Sequence, residues 1–155
     1  MILCVVRVWD VSSDEAVHVL AGHAYPVKSV AFSGDGKFIA SGSNDRTVRL
    51  WNALTGDALK VLEGHTYHVN SFSFSDDGSR IVSGSHDRSL RIWGPSTGEM
   101  VKVIHDHVGH VSSIALSNNG NRVVVGSNTS ILVLDASGDG ESDNHATGYI
   151  GCVLK

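Results

Sequence analysis

The sequence predicts an all-β protein built from small antiparallel sheets that recur along the chain, and three observations predict it. One stretch, residues 23–52 (HAYPVKSVAFSGDGKFIASGSNDRTVRLWN), returns almost unchanged at 65–94 and in weaker form from His107 onward. The spacing is constant: His23, His65 and His107 stand 42 residues apart, as do Trp9, Trp51 and Trp93. A fixed period of about 20–50 residues marks a unit that buries its apolar face only by stacking on copies of itself. Finally, short β-branched and aromatic runs alternate with clusters of Gly, Asn, Asp and Ser, and no helical period interrupts them.

Taken in order, residues 1–20 read as the back half of a unit. Val6, Val8 and Trp9 fall one period before Val48, Leu50 and Trp51, and Val17 and Val19 one period before Leu59 and Val61. The next two units, 21–62 and 63–104, each contain four runs. The first alternates large and small residues (Val30, Ala31, Phe32; Phe72, Ser73, Phe74), as a strand packed between sheets does. It ends in Asp35-Gly36, Asp77-Gly78 or Asn119-Gly120, a hairpin signal in which both turn residues can take positive φ. The second run, 38–43 or 81–85, leads to a tight turn at Asn44-Asp45 or His86-Asp87. The third run (47–51, 89–93) ends in tryptophan, and the fourth (59–62, 101–104) follows a looser loop. Four strands in an antiparallel meander form one blade of a β-propeller. Residues 105–135 are a degenerate copy, 136–148 a flexible acidic loop, and 149–155 a candidate last strand. Fewer than four such units fall below or at the low end of the roughly 4–8 that close a ring. An incomplete or open ring is therefore expected, as a fragment of a larger propeller or a piece that needs missing repeats or another chain to close it.

Composition narrows the function. The chain has 155 residues, a net charge of −4 and 18% charged residues, with Lys and Arg scattered singly. No basic field is available to release counterions from a nucleic acid backbone, which argues against that class of partner. Two cysteines, Cys4 and Cys152, make neither a disulfide framework nor a zinc spacing and read as free thiols in a reducing compartment. No apolar run approaches the ~20 residues that span a bilayer, and residues 1–6 are too short for a signal peptide. A cytoplasmic or nuclear location is the expectation, with no membrane partner. No phosphate-binding glycine loop or metal-ligand spacing is present, so no cofactor and no metal are expected.

Gly22-His23 and Gly64-His65, the Asp-Gly turns, the SGSxD segments and the strands ending in tryptophan together resemble the WD repeat (WD40) family over residues 1–135. Trp9-Asp10 is the literal dipeptide; Trp51-Asn52 and Trp93-Gly94 are variants. The resemblance implies a seven-bladed propeller that holds protein or peptide partners without catalysis. Each sound unit carries His, Ser, Asp and Trp at fixed offsets: His23, Ser41, Asp45, Trp51 and His65, Ser83, Asp87, Trp93. These are also the components of a hydrolytic triad. An active site needs one copy in one cleft, however, and this set recurs in every sound blade. The alternative is a chain of hydrogen bonds from indole N–H through serine and imidazole to aspartate, and the resemblance implies such a tetrad. The choice of Ser41 over Ser43 rests on the resemblance; the residues alone leave both open. In the third unit Val125 stands for the serine, Leu134 for the tryptophan and Asn128 or Thr129 for the aspartate. That blade is expected to be held by apolar packing alone.

The resemblance also places three residues of each unit around one entrance of the propeller: Pro26, Lys28 and Asn44; His68, Asn70 and His86; His110, Ser112 and Asn128. This polar, histidine-rich set is the candidate partner-binding face, with a pH response in the imidazole range. Tyr25 and Tyr67, at one shared offset, read as anchors that pack their loops. The expected function is an interaction scaffold in a larger signalling or regulatory protein. The rivals are a subunit of a nuclear chromatin or RNA-processing complex and, more remotely, a Ser/His/Asp hydrolase.

Overall fold

The computed structural model describes residues 4–105, 109–128, 130–135 and 149–150, which form strands and turns with no helix. Strands β1 (Cys4–Asp10) and β2 (Glu15–His23) pair as a two-stranded sheet. Next come β3 (Val27–Phe32), β4 (Phe38–Ser43), β5 (Val48–Asn52) and β6 (Ala58–Leu62), then β7 (Val69–Phe74), β8 (Ile81–Ser85), β9 (Leu90–Trp93) and β10 (Met100–Ile104). The last sheet holds β11 (Val111–Leu116), β12 (Arg122–Ser127), β13 (Ile131–Asp135) and β14 (Tyr149–Ile150). Each four-stranded sheet is an antiparallel meander in chain order. β2 runs on through His23, past the expected end of the half blade at residue 20, so this histidine closes a strand rather than sitting in a loop.

The core lies between the sheets, not within any one of them. Val6 and Leu20 of the first sheet meet Ile39 and Trp51 of the second. Ala40, Val48, Leu50 and Leu62 meet Val69, Phe72, Ile81 and Trp93 of the third. Val82, Leu90 and Ile92 meet Val111, Val123, Val125, Leu132 and Leu134 of the fourth. Every apolar cluster thus joins two consecutive sheets, which is why one unit alone has nowhere to bury its face. In the fourth sheet Val125 and Leu134 replace serine and tryptophan together, and both are buried in that shared core. His107, Thr129, the loop 136–148 and residues 151–155 lie outside the described residues. β14 pairs with Ile131 and Leu132 of β13.

The expectation for the Asp-Gly turns needs correction. Only the glycines take positive φ, 70° at Gly36, 67° at Gly78 and 69° at Gly120. The aspartate works through its side chain instead. Asp35 Oδ1 accepts from Ser33 Oγ at 2.7 Å and from Lys37 N at 3.1 Å. Ser33 N donates to Phe38 O at 2.9 Å and closes the loop. At the next turn the positive φ falls on arginine, 74° at Arg46 and 65° at Arg88. This position, where glycine is usual, completes a three-residue hairpin loop. Among the described residues no helix is long and apolar enough to cross a membrane.

Candidate functional site: a buried network in each blade and a histidine rim

In the second sheet Trp51 Nε1 donates to Ser41 Oγ at 2.9 Å, and Ser41 Oγ lies 2.7 Å from His23 Nε2. His23 Nδ1 meets Asp45 Oδ2 at 2.7 Å. The third sheet repeats the arrangement: Trp93 Nε1 to Ser83 Oγ at 2.8 Å, Ser83 Oγ to His65 Nε2 at 2.8 Å, His65 Nδ1 to Asp87 Oδ2 at 2.9 Å. The indole can only donate and the carboxylate can only accept, so every intermediate proton is placed: serine donates to Nε2 and Nδ1–H donates to aspartate. Ser43 has a different task. Its hydroxyl donates to Tyr25 O and accepts from Asp45 N, and Ser85 does the same with Tyr67 O and Asp87 N. The tyrosine loops are therefore held by their carbonyls. Both rings are more than half exposed; Tyr67 nevertheless packs its loop against His68, 4.3 Å between ring centroids.

Ser41 and Ser83 are fully buried, so neither Oγ is presented to solvent. Burial pushes the Asp87 carboxyl up, but Ser89, Thr66 N and His65 donate to it and hold its pKa down at about 2. Asp45 is also lowered, with burial opposed by donors from Thr47 and His23. Burial pulls His65 below its ordinary value, against the opposing pull of Asp87. Each of these groups titrates lower in the folded chain than in the unfolded one, so the unfolded chain takes up protons first as pH falls. Stability is expected to be complete above about pH 6.5, to decline first as His65 titrates, and to decline again between pH 3.8 and about 2 as Asp87 does. Urea midpoints measured from pH 8 to 2.5 check this. A midpoint that holds constant down to pH 4 would remove His65 from the account.

The nine residues expected to ring one entrance lie on three kinds of structural position. Pro26, His68 and His110 precede the first strand of a blade. Asn44, His86 and Asn128 sit at or beside the turn after the second strand. Lys28, Asn70 and Ser112 occupy β-bulges: Val27 pairs with Ser43 and Ser29 with Gly42, leaving Lys28 unpaired, and the same skip occurs at Asn70 and Ser112. A bulge re-aims its side chain, a feature that no local residue pattern announces. Five of the nine, Pro26, Asn44, His68, His86 and His110, are linked by one run of hydrogen bonds. Asn44 N donates to Pro26 O at 3.0 Å, His68 Nδ1 to Asn44 O at 2.9 Å, His86 N to His68 O at 3.0 Å, and His110 Nδ1 to His86 O at 2.9 Å. Since a carbonyl only accepts, Nδ1 carries the proton in His68 and His110, and each imidazole clasps the turn of the preceding blade.

The rings form a row. His86 lies 4.9 Å from His110 and 6.2 Å from His68, centroid to centroid, and stacks on Tyr67 at 5.9 Å. Partial burial, then His110, His68 and Lys28, lower the pKa of His86, because each added positive charge would repel its own. Asn70 Nδ2 donates to Val111 O at 2.9 Å, so this rim residue also ties two blades. Sequence reading missed Arg46 and Arg88, both exposed and both held at positive φ in the turn that carries Asn44 or His86. Their signal was the repeated Asp-Arg after that turn position. Among the described residues no group of three His, Cys, Asp or Glu side chains is arranged to hold a metal ion.

The fold and the repeated network define a stack of propeller blades. The family model for the WD domain, G-beta repeat (WD40), matches residues 14–52, 56–94 and 98–135, and the chain belongs to this family. WD40 repeats imply a protein-interaction scaffold, and proteins of this kind are generally non-catalytic. Comparison with curated proteins gives no match.

Proposed function

We propose that the chain docks a protein or peptide partner on the rim formed by Pro26, Lys28, Asn44, His68, Asn70, His86, His110, Ser112 and Asn128. The observation that carries this reading is the unbroken hydrogen-bonded run from Pro26 to His110, which makes one pre-organised surface from three successive blades. Pre-organisation lowers the ordering cost of binding. Lys28, Arg46 and Arg88 add positive charge around the row, so the surface suits an acidic segment, with affinity that rises as His86 takes up a proton. A role within a larger signalling or regulatory protein is the setting we favour.

The test compares proteins cross-linked to the wild-type chain with those cross-linked to His86→Ala and to His68→Ala/His86→Ala. His86 donates to the rim through its backbone N, which the alanine variant keeps, so the single variant is expected to fold normally. Partners lost from both variants support the rim. A partner set unchanged in the double variant rules it out.

A further inference from the structure

Arginine recurs at one strand position in three successive sheets, as Arg7, Arg49 and Arg91, two residues before each tryptophan. The residue paired with that tryptophan on the following strand is Ala16, Ala58 and Met100 in turn. Of the three sheets, then, only the third sets a sulfur beside the guanidinium. Met100 and Arg91 occupy diagonal positions on β10 and β9, within reach of long side chains, and Arg91 Nη1 donates to Met100 Sδ at 3.0 Å. A thioether is a weak acceptor, and Arg91 is otherwise poorly matched. Its Nε is buried and finds no acceptor among the described residues, and no described carboxylate forms an ion pair with it. The guanidinium is packed in place: a Cβ on Gly64 would stand 2.6 Å from Nη1 and 3.5 Å from Trp93 Cη2. Met100, by contrast, is 46% exposed at the start of an edge strand, where small solutes reach it.

We propose that Met100 is a site of oxidation by hydroperoxides, with Arg91 as the receiver of the sulfoxide oxygen. The sulfur lone pair attacks one oxygen of hydrogen peroxide. The S–O bond forms as the O–O bond breaks, and the proton on the transferred oxygen passes to the departing hydroxide, which leaves as water. Sulfur gives up two electrons and the peroxide takes them. The product replaces a weak acceptor with a polar S–O group, and a hydrogen bond to it from guanidinium is charge-assisted. Sulfoxide in an apolar core disrupts packing; here it meets an arginine that lacks an acceptor, so it strengthens the tie between β10 and β9. The arrangement belongs to one blade, since Arg49 has Ala58 in place of the methionine. It involves none of the nine rim residues, so either site can fail without the other.

The 155-residue chain is treated with hydrogen peroxide while folded, and the added oxygen is located by peptide mass. Urea unfolding of the reduced and oxidised forms is then compared between the wild-type chain and Arg91→Leu, which removes the donors. Met100 is expected to carry one oxygen. Relative to its effect in Arg91→Leu, oxidation is expected to lower the unfolding equilibrium constant of the wild-type chain about tenfold, the value of one hydrogen bond to a charged group. Met1, the other methionine, oxidises alike in both chains and cancels. Should Arg91→Leu fail to fold, the Arg91 Nε–H resonance of the wild-type chain decides: it is expected to move on oxidation and to stay in Met100→Leu. A Met100 that remains reduced in the folded chain overturns the proposal, as do equal effects of oxidation in the two chains. So does an Nε–H resonance that oxidation of Met100 leaves unmoved, or one that peroxide moves equally in Met100→Leu.

Discussion

Trp93→Ala is expected to cost about 3–5 kcal/mol of folding stability, whereas Trp9→Ala should cost less than about 1 kcal/mol. The two residues share a motif position, so the difference comes from tertiary surroundings alone. Trp93 is 2% exposed, packs among Ala40, Val69, Phe72 and Ile81, and satisfies Ser83. Truncation leaves a large cavity between two blades and removes one donor from the network. Ser83 still donates to His65, so most of the loss is packing rather than hydrogen bonding. Trp93→Phe separates these terms: it retains most of the volume and should lose only about 1–2 kcal/mol. Trp9 is half exposed, and its loss leaves no comparable cavity. Urea unfolding of the three variants tests the ordering. Equal costs at Trp9 and Trp93 would mean that the Trp9 ring is buried in solution.

Gly84→Ala should destabilise the chain by about 1–3 kcal/mol, an overpacking effect. A Cβ there would stand 2.4 Å from Val111 Cγ1 and 2.6 Å from Ile114 Cδ1, in the seam between the third and fourth sheets. Val111 is fully buried and cannot swing aside. Gly42→Ala, at the same position one blade earlier, meets Val69 Cγ1 at 3.0 Å and Phe72 Cδ1 at 3.3 Å. There the small clash is opposed by the roughly 0.5–1 kcal/mol that alanine gains over glycine in a strand, and the net change should be near zero. Val111→Ala in the Gly84→Ala background should recover part of the loss, a coupling measurable by a double-mutant cycle. Additive costs would place the strain elsewhere.

The Gly84 comparison shows where sequence reading stops. Gly42 and Gly84 stand in nearly identical stretches, SGSNDR and SGSHDR, and nothing local separates them. What separates them is the next blade, which brings Phe72 against one and Ile114 against the other. The choice between Ser41 and Ser43 is of the same kind. Both serines lie on β4 two residues apart, and only the positions of His23 and Tyr25, brought in from 18 residues earlier, assign their hydroxyls. The rim histidines are a third case. Their repeat offsets are visible in the chain, but the clasp from His68 to Asn44 and from His110 to His86 spans 24 residues and two blades.

By itself the sequence determined the repeating unit: its 42-residue period, its four strands, its turns and the recurrence of His, Ser, Asp and Trp. These are set by local chemistry, since β-branched alternation, glycine at positive φ and short polar turns act within a few residues. Tertiary structure alone decided what each copy of the unit does. It buried Trp51 and Trp93 and left Trp9 exposed, set Lys28, Asn70 and Ser112 in bulges, and linked Pro26, Asn44, His68, His86 and His110 by one run of hydrogen bonds. The reason is physical. Each apolar cluster is shared between two successive sheets, so burial, and with it the role of every repeated residue, is a property of the neighbouring blade.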